Sequence, residues 1–379
     1  MRISEVKTHI LEARLRQPFG FSQWWYDTRR ATIIEVETDD GLIGWGESFG
    51  PPGPIAATVK EFRPHILGQD SRAIDRIWEL LYNRFRDFGQ KGIIVAALSG
   101  IDIALWDLLG KRYGVPAHVL MGGPVRTRVQ AYATGMYLQK AEDQTRLFME
   151  EARSYVEAGF KTVKMKVGFG VERDTTLVKR VREAIGPDIG LVIDANHAYD
   201  AVEAVRLGRR IEALDIGWFE EPVCPEDLRG YKAVKSALGI PIAGGESEYT
   251  RFGFRDILVE RAMDIIQPDV CISGGISECR KIAIMANAFG VRCNPHAWGT
   301  GIGIAATLQL LAVIPHNPLS MNPVEPMLEL DQTEHPFRMT LITEPIIQQN
   351  GFVAVPQGPG LGVEVDRGVL QRYEVNRET

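Results

Sequence analysis

Leu191-Val192-Ile193-Asp194 is the first of three short apolar runs that each end in a carboxylic acid. The other two are Ile216-Gly217-Trp218-Phe219-Glu220 and Pro241-Ile242-Ala243-Gly244-Gly245-Glu246. Successive acids are 26 residues apart, which is the length of one strand plus one helix, and amphipathic segments fill the intervals. Because the C-terminal ends of parallel barrel strands meet at one mouth, we expect the three carboxylates to lie there at the same height.

The same alternation of apolar runs and amphipathic segments continues in both directions along the chain. The predicted strands end near Tyr132, Lys166, Asp194, Glu220, Glu246, Asp269, His296 and Met321. The predicted helices between them include residues 143–158, 172–185, 202–214, 227–238 and 275–289. Eight such units predict an α/β fold of the TIM-barrel type, in which the last unit can be incomplete. A doubly wound open sheet is the alternative, but no GxGxxG motif follows a first strand.

The residues before the barrel have a different pattern. Residues 31–47 predict a β-hairpin, because two β-rich runs flank the turn Asp39-Asp40-Gly41. Val6 to Leu15 can add a third strand. Helices are predicted over residues 55–66, 72–85 and 93–111, the last with an apolar stripe. Strands followed by a run of helices are typical of a small α+β domain.

The composition is that of a folded globular protein. Hydrophobic residues make up 45% and charged residues 24% of the chain, and the net charge of −6 argues against a nucleic-acid partner. No run of about 18 apolar residues predicts a membrane span. Residues 1–16 lack the apolar segment of a signal peptide, and none of the four cysteines forms a CxxC pair. These features predict a cytoplasmic protein with reduced thiols.

The three carboxylates at the strand ends predict a metal site. Asp194, Glu220 and Glu246 would repel one another in a partly buried mouth unless a divalent cation lay among them. Ligands that are all oxygen favour a hard cation, and we expect Mg²⁺. Any one of these acids alone would be read as a surface or capping residue. Their equal spacing at three successive strand ends favours the metal site.

Two lysines lie two residues apart in Val163-Lys164-Met165-Lys166-Val167. Residues i and i+2 of a strand point to the same face, so both ammonium groups are expected in the mouth. Their mutual repulsion should lower the pKa of at least one of them, which would make a neutral amine base accessible. The alternative is that one or both line an outer, solvated face.

Three further polar residues follow the later strands. Asp269 and His296 end neighbouring predicted strands, so we expect a dyad in which the carboxylate fixes the tautomer of the imidazole. Glu325, just past the eighth predicted strand, can donate a hydrogen bond to a substrate carboxylate if it is protonated. It can equally be an exposed loop acid, and spacing alone leaves both readings open.

These parts indicate removal of a proton from the carbon α to a carboxylate. A metal ion and neighbouring cations can stabilise the dianion that forms. Bases on opposite faces of that carbon, Lys166 and His296, permit either racemisation or elimination. A barrel that only binds ligands would need one of the lysines or carboxylates to be missing, and none is.

The chain resembles the enolase superfamily, and within it the mandelate racemase subgroup, along essentially its whole length. The motifs that carry the resemblance are Lys164-Met165-Lys166, Asp194-Ala195-Asn196, Glu220-Glu221-Pro222, Gly244-Gly245-Glu246, Asp269 and His296. The resemblance implies a modified TIM barrel, (β/α)7β, formed by residues 126–325. It also implies an α+β capping domain, with residues 1–125 as its N-terminal part and residues 326–379 as a C-terminal segment that returns to it.

The resemblance also implies roles for the site residues. One Mg²⁺ per subunit would be bound by Asp194, Glu220 and Glu246. Lys166 would be the base on one face, its pKa lowered by Lys164, which contacts the substrate carboxylate. His296, held by Asp269, would serve the other face. Glu325 matches the carboxyl group that binds the substrate carboxylate. Because members of this subgroup are often octamers, the resemblance favours a homo-oligomer.

Within the subgroup, the chain is similar to cycloisomerases of galactarate lactone. The shared stretches are residues 98–107, residues 168–172, Trp298-Gly299-Thr300-Gly301 and Gly358-Pro359-Gly360-Leu361-Gly362. The similarity implies β-elimination from an acid sugar or its lactone to a 3-deoxy-2-keto acid. An aldarate or aldonate dehydratase is the alternative, followed by a racemase or epimerase of a 2-hydroxy acid. In every case the partner is a small-molecule carboxylate, with neither nucleic acid nor membrane.

Two stretches depart from the close relatives and bear on specificity. Ser247-Glu248-Tyr249 stands where the resemblance predicts Thr-Trp-His, and residues 19–30 carry Trp24-Trp25-Tyr26. The aromatic cluster either contacts substrate or packs the cap on the barrel. The substrate-binding residues predicted from these stretches and from the motifs are Trp24, Tyr26, Asn196, Glu248 and Trp298.

Overall fold

The computed structural model describes residues 1–317 and 320–375. An antiparallel sheet with helices forms a cap, and a curled parallel sheet surrounded by helices forms a barrel. The predicted combination of a TIM-type barrel with an α+β cap is confirmed. The barrel core lies mainly between the strands and the surrounding helices, and a second core lies under the cap helices.

The cap sheet begins with three long strands. They are β1 (Ile3–Gly20), β2 (Trp25–Thr38) and β3 (Ile43–Ser48). All neighbours in this sheet are antiparallel. Gly41 takes a φ of 79° in the turn between β2 and β3, as the predicted hairpin requires. The predicted third strand is β1, which is longer than the pattern indicated.

Four helices follow the hairpin. They are α1 (Pro52–Ile66), α2 (Ile74–Phe85), α3 (Ile93–Tyr113) and the short α4 (Ala117–Leu120). The first three begin and end within a few residues of the prediction. By length and composition α3 could cross a membrane, but most of it is buried in the protein core. It lies directly against β3, where a Cβ on Gly46 would come within 1.9 Å of the Gly100 carbonyl oxygen.

Eight parallel strands form the barrel sheet. They are β4 (Arg128–Gly135), β5 (Thr162–Lys166), β6 (Gly190–Asp194), β7 (Ile216–Glu220), β8 (Ile242–Gly244), β9 (Ile265–Ile266), β10 (Arg292–Cys293) and β11 (Leu328–Asp331). Their order in the sheet is β10-β9-β8-β7-β6-β5-β4-β11. The two ends of the sheet approach each other, because the backbone N–H of Ala297 donates to Glu329 at 3.4 Å.

Helices cover the outside of the parallel sheet, and all but the last, which is apolar and buried, have a polar outer face. They are α5 (Gln144–Glu157), α6 (Val171–Ile185), α7 (Ala201–Ile211), α8 (Leu228–Ala237), α9 (Thr250–Glu260), α10 (Gly275–Ala288) and α11 (Gly301–Val313), and a 3₁₀ turn, Glu212–Leu214, follows α7. Side-chain caps begin several of them; Asp143, for example, accepts from the N–H of Arg146. Inside the curl a small apolar cluster that includes Tyr132 and Trp218 lies beneath the strand ends.

The eighth barrel strand differs from the prediction. The sequence pattern predicts its end near Met321, but that residue is almost fully exposed, and the strand is β11, parallel to β4. The barrel therefore extends beyond residue 325, where the sequence placed its boundary. Physically, the alternating pattern Leu328-Glu329-Leu330-Asp331 forms the strand, whereas the Pro-containing stretch before it forms a loop.

The C-terminal segment contacts both parts of the molecule. After α12 (Pro336–Thr340), β12 (Phe352–Ala354) pairs antiparallel with β4 of the barrel. α13 (Arg367–Tyr373) and β13 (Glu374–Val375) then return to the cap, where β13 pairs with β1 and gives the order β13-β1-β2-β3. The predicted return to the cap is thus made by the last described residues.

Candidate active site

The register of three adjacent strands brings the lysines and the first two acids together. Lys166 is the direct neighbour of Asp194, which is the direct neighbour of Glu220. Nζ of Lys166 is 2.5 Å from Oδ2 of Asp194 and donates to Oδ1 of Asn196 at 2.9 Å. Nζ of Lys164 is 2.5 Å from Oε1 of Glu220. Both lysines are buried, so both project into the mouth rather than to an outer face.

Asp194, Glu220 and Glu246 each place one carboxylate oxygen within 4.8 Å of the others. Oε2 of Glu220 accepts hydrogen bonds from Nε1 of Trp218 and Nε2 of Gln267, both at 2.8 Å. Oε2 of Glu246 is buried and has no hydrogen-bond partner among the described residues. Burial, together with the neighbouring carboxylates, raises the pKa of Glu246 to about 8. This all-oxygen cluster fits a hard divalent cation, which would offset the repulsion.

The carboxylates reverse the predicted effect on the lysine pKa values. Burial alone would lower the pKa of Lys164, but the charges of Glu220 and Glu329 outweigh it and raise the pKa well above its usual value. Burial alone would lower the pKa of Lys166, but Asp194, together with Tyr137 and Glu246, outweighs both burial and the repulsion of Lys164 and raises the pKa. The prediction of a lowered lysine pKa considered only the second ammonium group and left out these neighbouring groups.

His296 and Asp269 form the expected pair on the other side of the mouth. Nδ1 of His296 is 2.6 Å from Oδ2 of Asp269, and Oδ1 of Asp269 accepts from the N–H of Cys271 at 2.6 Å. Nε2 of His296 is 3.7 Å from Glu246. Burial lowers the pKa of His296, but the nearby carboxylates, Glu246 first, outweigh it and raise the pKa to about 10. Asp269 thus directs Nε2 of the imidazole into the site.

Glu329, which the sequence pattern did not single out, is a further carboxylate of the site. It is fully buried on β11, with Oε1 2.7 Å from Nζ of Lys164 and Oε2 3.9 Å from Nε2 of His296. The hydroxyl of Thr134 donates to it at 2.7 Å. Glu329 therefore lies between the two sides of the mouth, in contact with Lys164 of β5 and close to His296 after β10.

Glu325 lies elsewhere, and its placement in the site is wrong. Its side chain is 41% exposed and pairs with Arg126 at 2.7 Å and His316 at 2.8 Å. It lies before β11, so it is at the opposite end of the strand from the mouth. The signal that could have identified Glu329 is its alternation with Leu328 and Leu330, which places it on the inner face of a strand.

A cavity of about 140 Å³ lies between the two halves of the mouth. It is lined by Phe21, Tyr26, Phe49, Tyr137, Lys166, Asn196, His197, Glu246, Ser247, His296, Trp298 and Glu329. Charged groups of the barrel and aromatic side chains of the cap therefore face the same space. This is the arrangement of a site that binds a small polar molecule under a cover.

The structure brings three of the five predicted substrate-binding residues to this cavity, namely Tyr26, Asn196 and Trp298. Trp24 is 63% exposed and lines a neighbouring cavity of about 460 Å³, which shares Tyr26 and Trp298 with the first. Glu248 pairs with Lys91 of the cap at 2.6 Å and does not line the 140 Å³ cavity. Spacing along the chain could not reveal that its carboxylate turns towards the cap.

Two family models match most of the chain. One, described as enolase C-terminal domain-like, matches residues 147–369. The other, described as the N-terminal domain of mandelate racemase / muconate lactonizing enzyme, matches residues 4–122. The chain belongs to the enolase superfamily. The N-terminal match places it, within this superfamily, among the mandelate racemase / muconate lactonizing enzymes, and the resemblance noted from the motifs is confirmed.

Relatives within the enolase superfamily align over nearly the whole chain. D-galactarolactone cycloisomerase of Agrobacterium fabrum is 47% identical over 99% of each chain. Arabinonate dehydratase of Saccharolobus solfataricus is 38% identical over 90% of this chain and 89% of its own. The crystal structure of 3,6-anhydro-D-galactonate cycloisomerase from Zobellia galactanivorans superposes with a TM-score of 0.90 and 40% identity over 99% of this chain and 100% of the other.

The comparisons confirm that the chain is an enolase-superfamily enzyme. Both predicted classes, the isomerases and the lyases, occur among the relatives. These relatives are named for reactions of acid sugars or of cyclic forms of them.

Proposed function

We propose that this enzyme removes the proton α to the carboxylate of an acid sugar or its lactone and then eliminates the oxygen on the β-carbon. The observation that carries the proposal is that Lys166 and His296 line one small cavity from opposite sides of the carboxylate cluster. A carbon held between them is within reach of a proton acceptor on one face and a proton donor on the other.

Each side of the cavity is assigned a part in the reaction. Nζ of Lys166 takes the α-proton, and Nζ of Lys164, with its ammonium charge, binds the substrate carboxylate. Nε2 of His296, held by Asp269, delivers a proton on the other face. The role first assigned to Glu325, a carboxyl group that contacts the substrate carboxylate, passes to Glu329 because Glu329 contacts Lys164 and lines the cavity.

The carboxylate cluster is proposed to bind one Mg²⁺ per subunit through Asp194, Glu220 and Glu246. When bound, the ion supplies positive charge that stabilises the dianion formed on proton removal. The contacts of Trp218 and Gln267 with Glu220 hold that ligand in place, an outer layer of the kind that tunes metal sites. Tyr26 of the cap and Trp298 of the loop after β10 exclude water from the reacting carbon.

For a lactone the reaction is a cycloisomerisation. The Cα–H bond breaks, a double bond forms between Cα and Cβ, and the ring oxygen leaves Cβ as part of a carboxylate. The resulting enol takes a proton at Cβ and becomes a 3-deoxy-2-keto diacid, so the product is an isomer of the substrate. Similarity to two cycloisomerases, at 47% and 40% identity, supports this form of the reaction. The first of them, named for D-galactarolactone, supports D-galactaro-1,4-lactone as the substrate.

Dehydration of an open-chain aldarate or aldonate is the second candidate. It uses the same groups but releases hydroxide as water, and similarity to arabinonate dehydratase at 38% identity favours it. A racemase or epimerase would return a proton to Cα from the second base instead. We further propose a homo-oligomer in the cytoplasm whose only ligands are small carboxylates and the metal ion.

Proton NMR in D₂O tests the proposal. The protein is incubated with Mg²⁺ and D-galactaro-1,4-lactone, and we expect a 3-deoxy-2-keto diacid that carries one solvent deuterium at C3. The same experiment with open-chain acid sugars separates the alternatives. If the enzyme dehydrates these sugars and leaves the lactone unchanged, it is a dehydratase and not a cycloisomerase. Exchange at Cα without elimination would indicate the racemase, and no reaction with any acid sugar would overturn the proposed function.

A further inference from the structure

A second histidine–carboxylate pair lies in the wall of the cavity. Nδ1 of His197 is 3.0 Å from Oε2 of Glu221, and His197 lines the cavity next to Asn196 and Glu246. The pair follows β6 and β7, whereas His296 and Asp269 follow β10 and β9 on the other side. None of the steps described above uses it.

The carboxylate of Glu221 is buried, and few polar groups contact it. The residue is fully buried, it lies at an ion-pair distance of 3.0 Å from Nδ1 of His197, and neither of its carboxylate oxygens has a hydrogen-bond partner among the described side chains and backbone. A buried carboxylate is costly unless it is paired. Burial lowers the pKa of His197, but the contact with Glu221 and the charges of Glu246 and Asp194 together outweigh burial and raise the pKa. The contact of 3.0 Å holds the Nδ1 edge of His197 towards Glu221.

The other edge of the His197 ring faces the cavity. The Nδ1 atom is buried, yet the side chain as a whole is 27% exposed. With Nδ1 turned towards Glu221, Nε2 is the polar atom of the ring that remains for other contacts. Because His197 is one of the residues that line the cavity, we infer that Nε2 can contact a molecule bound there.

The backbone that carries the pair is held in an unfavourable conformation. Asn196, His197 and Glu221 have φ values of 44°, 56° and 43°, although none is glycine. Conformations of this kind persist where surrounding contacts fix them, and they cluster at functional sites. Here the N–H of His197 donates to the carbonyl of Glu221 at 2.8 Å, and the cap residue Gln23 donates to the carbonyl of Asn196 at 3.2 Å.

We propose that His197, oriented by Glu221, donates a hydrogen bond from Nε2 to the oxygen on the β-carbon of the substrate, the oxygen that departs. The assignment rests on the proposed function. When the Cβ–O bond breaks, its electron pair remains on oxygen. In an open-chain acid sugar the departing hydroxide takes the Nε2 proton and leaves as water. In a lactone the departing oxygen becomes a carboxylate and needs only the hydrogen bond.

Two isosteric variants test the role. Asparagine can place its amide near the position of Nδ1, so H197N keeps a partner for Glu221 but loses the Nε2 donor. Glutamine can place its amide near Nε2, so H197Q keeps a donor towards the cavity. Each variant is compared with the wild-type enzyme in D₂O, on whichever of the lactone or open-chain galactarate the wild type eliminates. The melting temperature of each variant establishes that it is folded.

We expect H197N to slow elimination by about 10²-fold, a typical contribution of a positioned proton donor. Exchange of the α-proton in recovered substrate should change by less than about threefold, and H197Q should recover part of the elimination rate. If H197N loses exchange and elimination to the same extent, the proposed role of His197 is wrong, but the proposed function of the enzyme is unaffected. A wild-type enzyme that neither exchanges nor eliminates with any acid sugar would remove the proposed function, and this role with it.

Discussion

Lys166 and Asp194 are direct neighbours on β5 and β6, and their Nζ and Oδ2 atoms are 2.5 Å apart. The proposed proton acceptor is thus in contact with a proposed metal ligand. In this arrangement the carboxylate of Asp194 stabilises the ammonium form of Lys166. A cation bound by the three acids would compete with this ammonium group for the negative charge of Asp194. Protonation of the base and binding of the cation should therefore depend on each other.

Removal of the Lys166 amine should abolish most of the activity. We expect K166A to lower kcat by about 10³-fold or more, within the range for loss of a general base, and to abolish exchange at Cα in recovered substrate. Lys161, an exposed lysine just before the same strand, provides the control. K161A should keep wild-type kcat, and a K166A enzyme that still exchanges the α-proton at the wild-type rate would assign the base elsewhere.

Two glutamates on either side of the start of β11 form a matched pair. E329Q removes the charge that contacts Lys164, and we expect kcat/KM for the acid sugar to fall by about 10²-fold, which is about 2.7 kcal/mol. E325Q removes the charge of a half-exposed side chain that pairs with Arg126 and His316, away from the cavity, so it should change kcat/KM by less than twofold. Steady-state kinetics of both variants checks the reassignment, and the reverse order of effects would restore the original prediction for Glu325.

Binding of a divalent cation should be visible without any substrate. After treatment with EDTA, addition of Mg²⁺ at about 100 times its Kd should stabilise the fold by about 2.7 kcal/mol, measured as a rise in melting temperature. E246Q should lose this rise because one ligand oxygen is removed. E248Q, two residues away and paired with Lys91, should retain it. A rise of equal size in E246Q would place the cation at other residues.

The contact between the C-terminal segment and the cap should depend on pH. Burial alone would raise the pKa of Glu35, but its hydrogen bonds with His9 and Arg367 outweigh burial and lower the pKa to about 2. The pKa of His9 is raised, because its contacts with Glu35 and Glu374 outweigh burial. The stabilisation from Glu35 is therefore present above about pH 4.5 and is lost as the pH falls towards 2. The part from His9 is present below about pH 6.5 and is lost at higher pH.

Denaturant unfolding at several pH values tests this dependence. E35Q should lower the free energy of unfolding by about 2 kcal/mol near pH 6 and by much less near pH 3. Glu37, on the same strand and more exposed, is the comparison, and E37Q should have a small effect at both pH values. An E35Q effect that did not diminish in acid would show that packing, and not charge, is lost.

Packing of α3 on the hairpin should tolerate no side chain at Gly46. A Cβ there would come within 1.9 Å of the Gly100 carbonyl oxygen, so we expect G46A to lower the free energy of unfolding by about 3 kcal/mol or more. Gly53 in α1 has open space around it, and G53A should be neutral or stabilising by up to about 1 kcal/mol. Thermal melts of the two variants give the comparison.

The sequence was most informative where a local pattern repeats. The equal spacing of Asp194, Glu220 and Glu246 predicted the barrel and the cluster together, because each strand–helix unit has nearly constant length. The two-residue spacing of Lys164 and Lys166 predicted their common face, because alternate residues of a strand point to the same side. The sequence could not show the carboxylates that surround the lysines, and these carboxylates raise the pKa values that mutual repulsion alone was expected to lower.

The remaining features depend on contacts between distant parts of the chain. The sequence by itself determined the order of the elements, the strand-end carboxylates and the family, because these follow from periodicity and short motifs. Only the tertiary structure decided that Glu329 and not Glu325 contacts Lys164, that Glu248 turns to Lys91, and that His197 is held by Glu221. The residues of each pair are brought together by the curl of the sheet or by the cap. Spacing along the chain does not predict such contacts.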